Sequence, residues 1–173
     1  MNRLDQISQQ IQKQSQPPVD TWAPDHHGEI DICIDVNGNW FHEGDQIKRD
    51  GLVALFSSIL WAEAEGYYLV TPAEKLRIKV ADVPYMIHQA ELCDDAWVVT
   101  THTHEQVILD QDHPVELRKF QDQWIPYVKV RYELWARVNR SIYYQWVDLA
   151  LQKGGDDPRL ELASGDYKFM VAR

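Results

Sequence analysis

Two stretches of the chain show the same order of features in their pattern of apolar and polar positions. Each has a strand of alternating residues, a tryptophan, an arginine followed by a helix-capping residue, and an apolar helix. The first stretch comprises 30–36, Trp40, Arg49-Asp50 and 52–64, and the second comprises 128–134, Trp135, Arg140-Ser141 and 142–151. This repetition predicts two related halves with a groove between them, but no motif in it identifies a reaction.

In the first half, the pair Asn37-Gly38 predicts a β-hairpin with a type I′ turn, which needs positive φ at both central positions. Apolar residues at helical spacing predict a helix over 52–64 that is buried along most of its length. Asp50 is its predicted N-cap, and Gly66 lies just beyond its predicted C-terminus. With strands at 67–70 and 76–80, the first half is predicted to be β-β-α-β-β.

In the second half, residues 127–135 alternate between apolar and charged, which predicts one half-buried antiparallel strand with a wet face. Ser141 is the predicted N-cap of the helix that follows. The other predicted segments are strands at 96–101, 106–109 and 167–171 and a charged connection over 110–123 with one or two helical turns.

Strand pairs before and after each helix favour an α+β fold over a doubly wound parallel one. We therefore predict two small domains with a repeated strand/helix motif and mostly antiparallel sheets. The predicted bounds are 1–21 for an N-terminal helix and linker, 22–88 for the first domain and 89–173 for the second. Leu4, Ile7 and Ile11 give the N-terminal helix a narrow apolar stripe, which indicates that it docks on another surface.

Several short motifs occur in order and with fairly specific spacing. They are 35–40, Arg49 before the apolar helix, 68–75, 80–85 and 126–131. Over residues 22–151 the chain resembles a family of bacterial proteins filed as domain of unknown function 1285. The resemblance implies two small α+β domains built from a repeated motif and a suggested role in ligand sensing or signal transduction, and it implies no catalytic residue.

Composition and net charge limit the classes of molecule that the chain can bind. The formal net charge of -10 opposes binding to nucleic acid or anionic membranes, and no basic cluster offsets it locally. No secretory h-region and no run of about 18 apolar residues is present, so we expect a cytoplasmic protein. Cys33 and Cys93 are too few and too isolated for a disulfide framework, and we interpret both as reduced structural cysteines.

His102 and His104 are the best candidates for metal ligands. If the segment is extended, alternate side chains share a face, and the two imidazoles could bind one ion with Glu105, Asp110 or His42 completing the shell. A zinc site normally needs three or four ligands. A polar hairpin end with solvated histidines is therefore the favoured interpretation.

The arginines are the best candidates for ligand binding. Arg49 and Arg140 lie just before the two predicted helices, where exposed backbone N–H groups already favour an anion. Arg77 and Arg131, on wet strand faces, could add to such a site. An ion pair or a hydrogen bond to a buried carbonyl explains these arginines at least as well.

Tyrosines near the predicted junction could line the same pocket, because each offers an apolar body with a polar tip. Tyr85, Tyr127 and Tyr132 lie near this junction, and Tyr85 and Tyr127 are the candidates for ligand binding.

The preferred hypothesis is a binding or sensing protein that holds a small polar or anionic ligand in a cleft between its halves. We expect this protein to bind no cofactor. The chain has no recognisable set of catalytic residues, which favours a binding protein over an enzyme. One alternative is a metal-dependent hydrolase with His102 and His104 as ligands. Another is a protein-interaction module that uses an edge strand or the N-terminal stripe. The sequence does not decide whether the chain forms a homo-oligomer.

Overall fold

The computed structural model describes residues 3–13 and 16–173, in which it has three α-helices and fourteen β-strands. The helices are α1 Arg3–Lys13, α2 Asp50–Ser58 and α3 Arg140–Gly154, and a short 3-10 helix spans Val19–Thr21. The predicted N-terminal segment, 1–21, lies partly outside the described residues. None of the described helices is long and apolar enough to cross a membrane.

The first sheet has six strands, in the order β3-β2-β1-β6-β5-β4. They are β1 His26–Ile34, β2 Trp40–His42, β3 Asp45–Gln46, β4 Leu60–Glu63, β5 Gly66–Val70 and β6 Glu74–Val80. β1 and β6 are parallel neighbours, and the other neighbours are antiparallel. Two three-stranded meanders are thus joined through their first and last strands.

The second sheet repeats this arrangement in the order β10-β11-β12-β7-β8-β9. Its strands are β7 Tyr85–Cys93, β8 Ala96–Thr101, β9 Gln106–Ile108, β10 Val115–Phe120, β11 Gln123–Arg131 and β12 Leu134–Val138. β7 and β12 form the central parallel pair. Helix α3 and a hairpin of β13 Glu161–Ser164 and β14 Tyr167–Met170 complete the fold.

The α+β class, the two small domains with a repeated motif and the mostly antiparallel sheets are therefore confirmed. The repeated unit differs in extent from the predicted one, because it is a six-stranded sheet. Helix α2 lies between the third and fourth strands of its sheet, whereas α3 follows the sixth strand of the second sheet. The two helices, with Arg49 and Arg140 at their starts, therefore do not occupy equivalent places in the repeat.

The predicted domain bounds, 22–88 and 89–173, stay a prediction. Strand β7 contains residue 88 and lies in the middle of the second sheet, between β12 and β8.

The hairpin predicted at Asn37-Gly38 is confirmed, but its turn is not type I′. Gly38 has a positive φ of +81°, whereas Asn37 does not. The Gly38 N–H donates to the Asp35 carbonyl (3.1 Å) and the Asp35 N–H to the Asn39 carbonyl (2.9 Å), as in a type I turn closed by a left-handed glycine. The Asp35 carboxylate accepts the N–H groups of Asn37 and Asn39, which stabilises this longer loop.

The helix predicted over 52–64 is wrong in extent and in burial. Helix α2 ends at Ser58, and Leu60, which is fully buried, already pairs with Leu69 in the sheet. A short apolar run has the same periodicity signal in a buried strand as in a helix, so pairing with β5 decides between them. Along α2 the buried residue is Ser57, and the N-cap is Arg49 rather than Asp50.

Two predictions about the second half are also wrong. The charged connection predicted over 110–123 contains strand β10, which pairs with β11 along its whole length. The single strand predicted over 127–135 is the hairpin of β11 and β12, with Tyr132 at a φ of 47° in its turn. The first error arises because charged residues on a strand that packs on one face resemble a polar loop in the sequence. The second arises because the turn residues Tyr132 and Glu133 continue the alternation of apolar and charged positions.

Apolar side chains from both sheets and from α3 form one continuous core. Trp40 and Leu60 of the first sheet, Tyr85 and Val99 of the second, and Trp146 of α3 belong to the same buried cluster. The two domains therefore share an interior.

Helix α1 carries the predicted stripe, and Leu4, Ile7 and Ile11 are half-buried. It docks on the second domain, where Arg3 pairs with Glu91 at 3.1 Å and the Leu4 N–H faces the Asp94 carboxylate at 3.4 Å.

We expect Gly38→Ala to lower the free energy of unfolding by about 2–4 kcal/mol. A left-handed backbone costs a non-glycine residue about 1–2 kcal/mol, and overpacking adds a similar amount. A Cβ at Gly38 would lie 2.9 Å from Cε1 and Nε2 of His102 in the other domain. Urea unfolding followed by tryptophan fluorescence measures this loss.

Gly44→Ala is the matched control. Gly44 has a φ of +86° and no atom within 4 Å of an added Cβ, so this variant should lose only the backbone contribution. Equal losses in the two variants would contradict the importance of the packing between Gly38 and His102.

Candidate functional site

The turn between β1 and β2 belongs to the first domain and lies against the second. A cavity of about 400 Å³ opens beside it. Its wall is formed by Val36 and Asn37 from the first domain and by Met86, Phe120, Gln121, Gln123, Ile125, Arg137, Val138, Asn139, Arg140, Tyr143 and Tyr144 from the second. The cavity therefore lies at the junction of the two domains.

Arg137 on β12 holds the turn in place. Its side chain is almost fully buried, and its Nη1 donates to Asp82 Oδ2 at 2.5 Å. Its Nη2 donates to the Val36 carbonyl of the turn, and the guanidinium lies 3.8 Å from the centre of the Phe120 ring. A buried cation is costly unless it is paired, so these contacts constrain the turn, β12 and the tip of β10 together.

Tyr127 takes part in the same network. Its hydroxyl donates to Asp82 at 2.9 Å, and burial, followed by this hydrogen bond, raises the pKa of the phenol. The hydroxyl therefore stays protonated and supports the carboxylate that neutralises Arg137.

The cavity wall contains two arginines and no carboxylate, in a chain with a formal net charge of -10. Arg140 is exposed at the first position of α3, and its side chain makes no hydrogen bond or ion pair with the described part of the chain. The N-cap is Asn139, not the predicted Ser141, and its side chain accepts the Ile142 N–H at 2.9 Å. The start of the helix and a free guanidinium thus face one cavity, and both favour an anion.

Arg131 and Tyr85, predicted to bind a ligand, instead join the domains at a second point. Arg131 donates to Glu105 Oε1 at 3.0 Å, to the Ser57 carbonyl at 2.6 Å and to the Tyr85 hydroxyl at 2.8 Å. The Tyr85 hydroxyl donates to the same Ser57 carbonyl at 2.9 Å. We call these four residues the Arg131 clasp. Burial raises the pKa of Tyr85 strongly, so its hydroxyl remains a donor.

The other predicted ligand residues also lie outside the cavity. Arg77 is on β6, where its Nη2 donates to the Glu65 carbonyl at 2.5 Å. Arg49 is the exposed N-cap of α2, and Tyr127 lies behind the wall with Asp82. Of the predicted set, the structure brings only Arg140 to the cavity. Ligand binding by any of these residues stays a prediction.

Sequence reasoning missed Arg137. A signal was present, since Arg137 is the charged member of the otherwise apolar run 134–138, and every residue of β12 is buried. An arginine that cannot reach water from such a strand needs a partner in the interior. The sequence does not indicate which carboxylate or carbonyl supplies that partner.

His102 and His104 line a smaller cavity of about 260 Å³, together with the start of α2. They lie in the turn between β8 and β9, with a φ of 70° at His104, so the extended geometry assumed for metal binding is not formed. Glu105 belongs to the Arg131 clasp, and Asp110 accepts two backbone N–H groups of its own loop. The described residues contain no cluster of three His, Cys, Asp or Glu that could hold a metal ion.

His102 is tied to the second sheet through its ring. The Met86 N–H donates to Nδ1 at 3.1 Å, and the His88 ring lies 5.8 Å away between ring centres. Burial lowers the pKa of His102, and the neighbouring His88 lowers it further. The ring is therefore neutral near pH 7 in the folded protein.

Family models match the chain over nearly its whole length. Residues 17–83 match the N-terminal domain and residues 84–171 the C-terminal domain of DUF1285, a domain of unknown function. The chain belongs to the DUF1285 family. None of the curated proteins compared with it matches.

Two crystal structures of DUF1285 family proteins are similar to this chain. The protein from Silicibacter pomeroyi DSS-3 has 31% sequence identity and a TM-score of 0.84, covering 99% of this chain and 96% of its own. The protein from Shewanella baltica OS155 has 27% identity and a TM-score of 0.55, covering 68% of this chain and 90% of its own. Both support the DUF1285 fold, and neither name states a ligand or an activity.

We expect Arg131→Met to lower the free energy of unfolding by about 2–4 kcal/mol, because it leaves Glu105 without its cation in a largely buried position. The side chains of Arg131 and Glu105 are each 13% exposed. Arg77→Met is the control, since it removes one hydrogen bond from an exposed arginine and should cost about 1 kcal/mol. Equal losses in urea unfolding would contradict a special role for the Arg131 clasp.

Lowering the pH should destabilise the protein through His102. The folded-state pKa lies below the ordinary value of 6.5, so the unfolded chain takes up the proton first as the pH falls. The free energy of unfolding should therefore decrease as the pH drops through about 6.5 towards the folded-state pKa.

Urea unfolding at a series of pH values tests this expectation. His102→Gln should show a smaller decrease than the parent protein, whereas His42→Gln, at an exposed position on β2, should keep the parent's decrease. A parent-like pH dependence in His102→Gln would assign the effect to other groups.

Proposed function

We propose that this DUF1285 protein binds a small anionic ligand in the cavity beside the β1–β2 turn and has a sensing role. The observation that carries the proposal is a cavity of about 400 Å³ whose wall has two arginines and no carboxylate, although the chain is strongly acidic. Small-molecule sites typically have volumes of about 300–1,000 Å³. The size of the cavity supports a metabolite-sized ligand.

Arg140 is the residue that would contact the anion directly. Its guanidinium is exposed, without a partner among the described residues, and lies at the start of α3, whose first N–H groups favour negative charge. Arg137 has Asp82 and Val36 as partners, so its role would be to position the wall.

The position of the cavity supports a sensing role. Val36 and Asn37 come from the first domain, and the rest of the wall comes from the second. A ligand that contacts both sides binds best when the turn is docked, so occupancy would favour the docked arrangement of the two domains.

Thermal unfolding with a panel of small carboxylates, sulfonates and phosphates tests the proposal. A ligand that binds only the folded protein should raise Tm with concentration, by roughly 5–10 °C at a hundredfold excess over Kd. Arg140→Ala should remove most of this shift. Arg49→Ala is the matched control, because Arg49 also lies at a helix start but outside the cavity, and it should keep the shift.

The proposal fails if no member of the panel raises Tm. It also fails if Arg49→Ala and Arg140→Ala reduce the shift equally, since binding would then not depend on the cavity.

A further inference from the structure

The apolar part of the cavity wall restricts the kind of anion that fits. Seven of the thirteen wall residues are apolar or aromatic, and they come from the β1–β2 turn, four strands of the second sheet and α3. A small hydrophilic anion such as phosphate would leave this surface in contact with water. An organic body would bury it and gain the corresponding free energy.

Two of the wall residues are large hydrophobic residues with much of their surface exposed. Tyr144 is 53% exposed and Val36 is 37% exposed, and both are among the large hydrophobic residues left most open to solvent. The Tyr144 ring packs beside Tyr143, with 5.5 Å between ring centres. These rings offer an aromatic surface on the α3 side of the cavity, and the tip of β10 belongs to the same wall.

The tip of β10 contributes Phe120 through a strained turn. Phe120 pairs with Gln123, and the two residues between them, Gln121 and Asp122, have φ values of 46° and 64°. Two-residue turns of this type normally use asparagine and glycine, so this backbone is costly. The turn holds Phe120 against the Arg137 guanidinium, which brings an apolar ring and a cationic group together in one wall.

The charge of the wall indicates how many negative charges the ligand carries. Asp82 already neutralises Arg137, with 2.5 Å between Nη1 and Oδ2, whereas Arg140 has no acidic partner among the described residues. The wall therefore offers one uncompensated positive charge. It matches a monoanion better than a nucleotide or another polyanion.

We infer that the ligand is a singly charged organic anion with an aromatic or acyl body, whose acidic group faces Arg140 and whose body lies along Phe120 and Tyr144. This inference rests on the proposed function and specifies the chemical class of its ligand.

Isothermal titration calorimetry with matched probes tests the inference on the full chain. The probes are 2-naphthoate, which has the body and the charge, 2-naphthalenemethanol, which has the body alone, and acetate and inorganic phosphate, which have charge without the body. We expect 2-naphthoate to bind at least tenfold more tightly than each of the others.

Two variants locate the bound probe. Tyr144→Ala should weaken 2-naphthoate binding about fivefold or more, and Arg140→Ala about tenfold, as expected for the loss of one charge-assisted hydrogen bond. Leu151→Ala is the control. Leu151 lies on α3 about two turns beyond Tyr144, is 57% exposed and is not part of the wall. This variant should bind 2-naphthoate like the parent protein.

The outcomes separate this inference from the proposed function. If acetate or phosphate binds as tightly as 2-naphthoate and Arg140→Ala abolishes that binding, the proposed function stands, but the inference that the ligand has an organic body is overturned. If 2-naphthalenemethanol binds as tightly as 2-naphthoate, or if Tyr144→Ala binds like the parent, the inference is overturned. If no anion binds, both fail.

Discussion

The buried guanidinium of Arg137 is the constraint on which the junction between the domains depends. A cation in this position is tolerated only with compensating partners, and they come from three separate parts of the chain. Asp82 lies between the two sheets in sequence, the Val36 carbonyl belongs to the β1–β2 turn, and Phe120 is the last residue of β10. Satisfying one charge therefore fixes the turn of the first domain against the second, and the cavity lies beside that contact.

The Arg131 clasp repeats the same chemistry on another side of the junction, where an arginine of β11 reaches the last turn of α2 through the Ser57 carbonyl. The two domains also share a continuous apolar core that includes Trp40 and Leu60 from the first sheet and Tyr85 from the second. The junction is thus a packed interface with a recess at its side, rather than an open groove between two separate lobes. The cationic character of that recess is local, because Asp82 is paired with Arg137 and no carboxylate belongs to the cavity wall.

Sequence reasoning succeeded where a structure depends on neighbouring residues. The hairpin at Asn37-Gly38 was predictable because a turn needs suitable residues only at its own positions, although the turn type differs from the predicted one and the Asp35 carboxylate stabilises the longer loop. Strand β4 was not predictable, because the apolar run around Leu60 suits a helix or a strand equally and pairing with Leu69 decides between them. Among the candidate ligand residues, Arg140, proposed from its position at a helix start, lies in the cavity wall, whereas Arg131 was assigned to a wet face and is engaged in the Arg131 clasp.

Local patterns in the chain were enough to establish an α+β protein with two related, mostly antiparallel domains, because alternation, turn residues and helical spacing act over a few positions. The packing of the whole chain decided the extent of the repeat, the burial of Arg137 and the existence of the cavity. The hydrogen-bond partners of Arg137 are 55 and 101 residues away in sequence. Contacts over such separations depend on strand order and on the parallel central pairs, and a pattern with a period of a few residues carries no information about them.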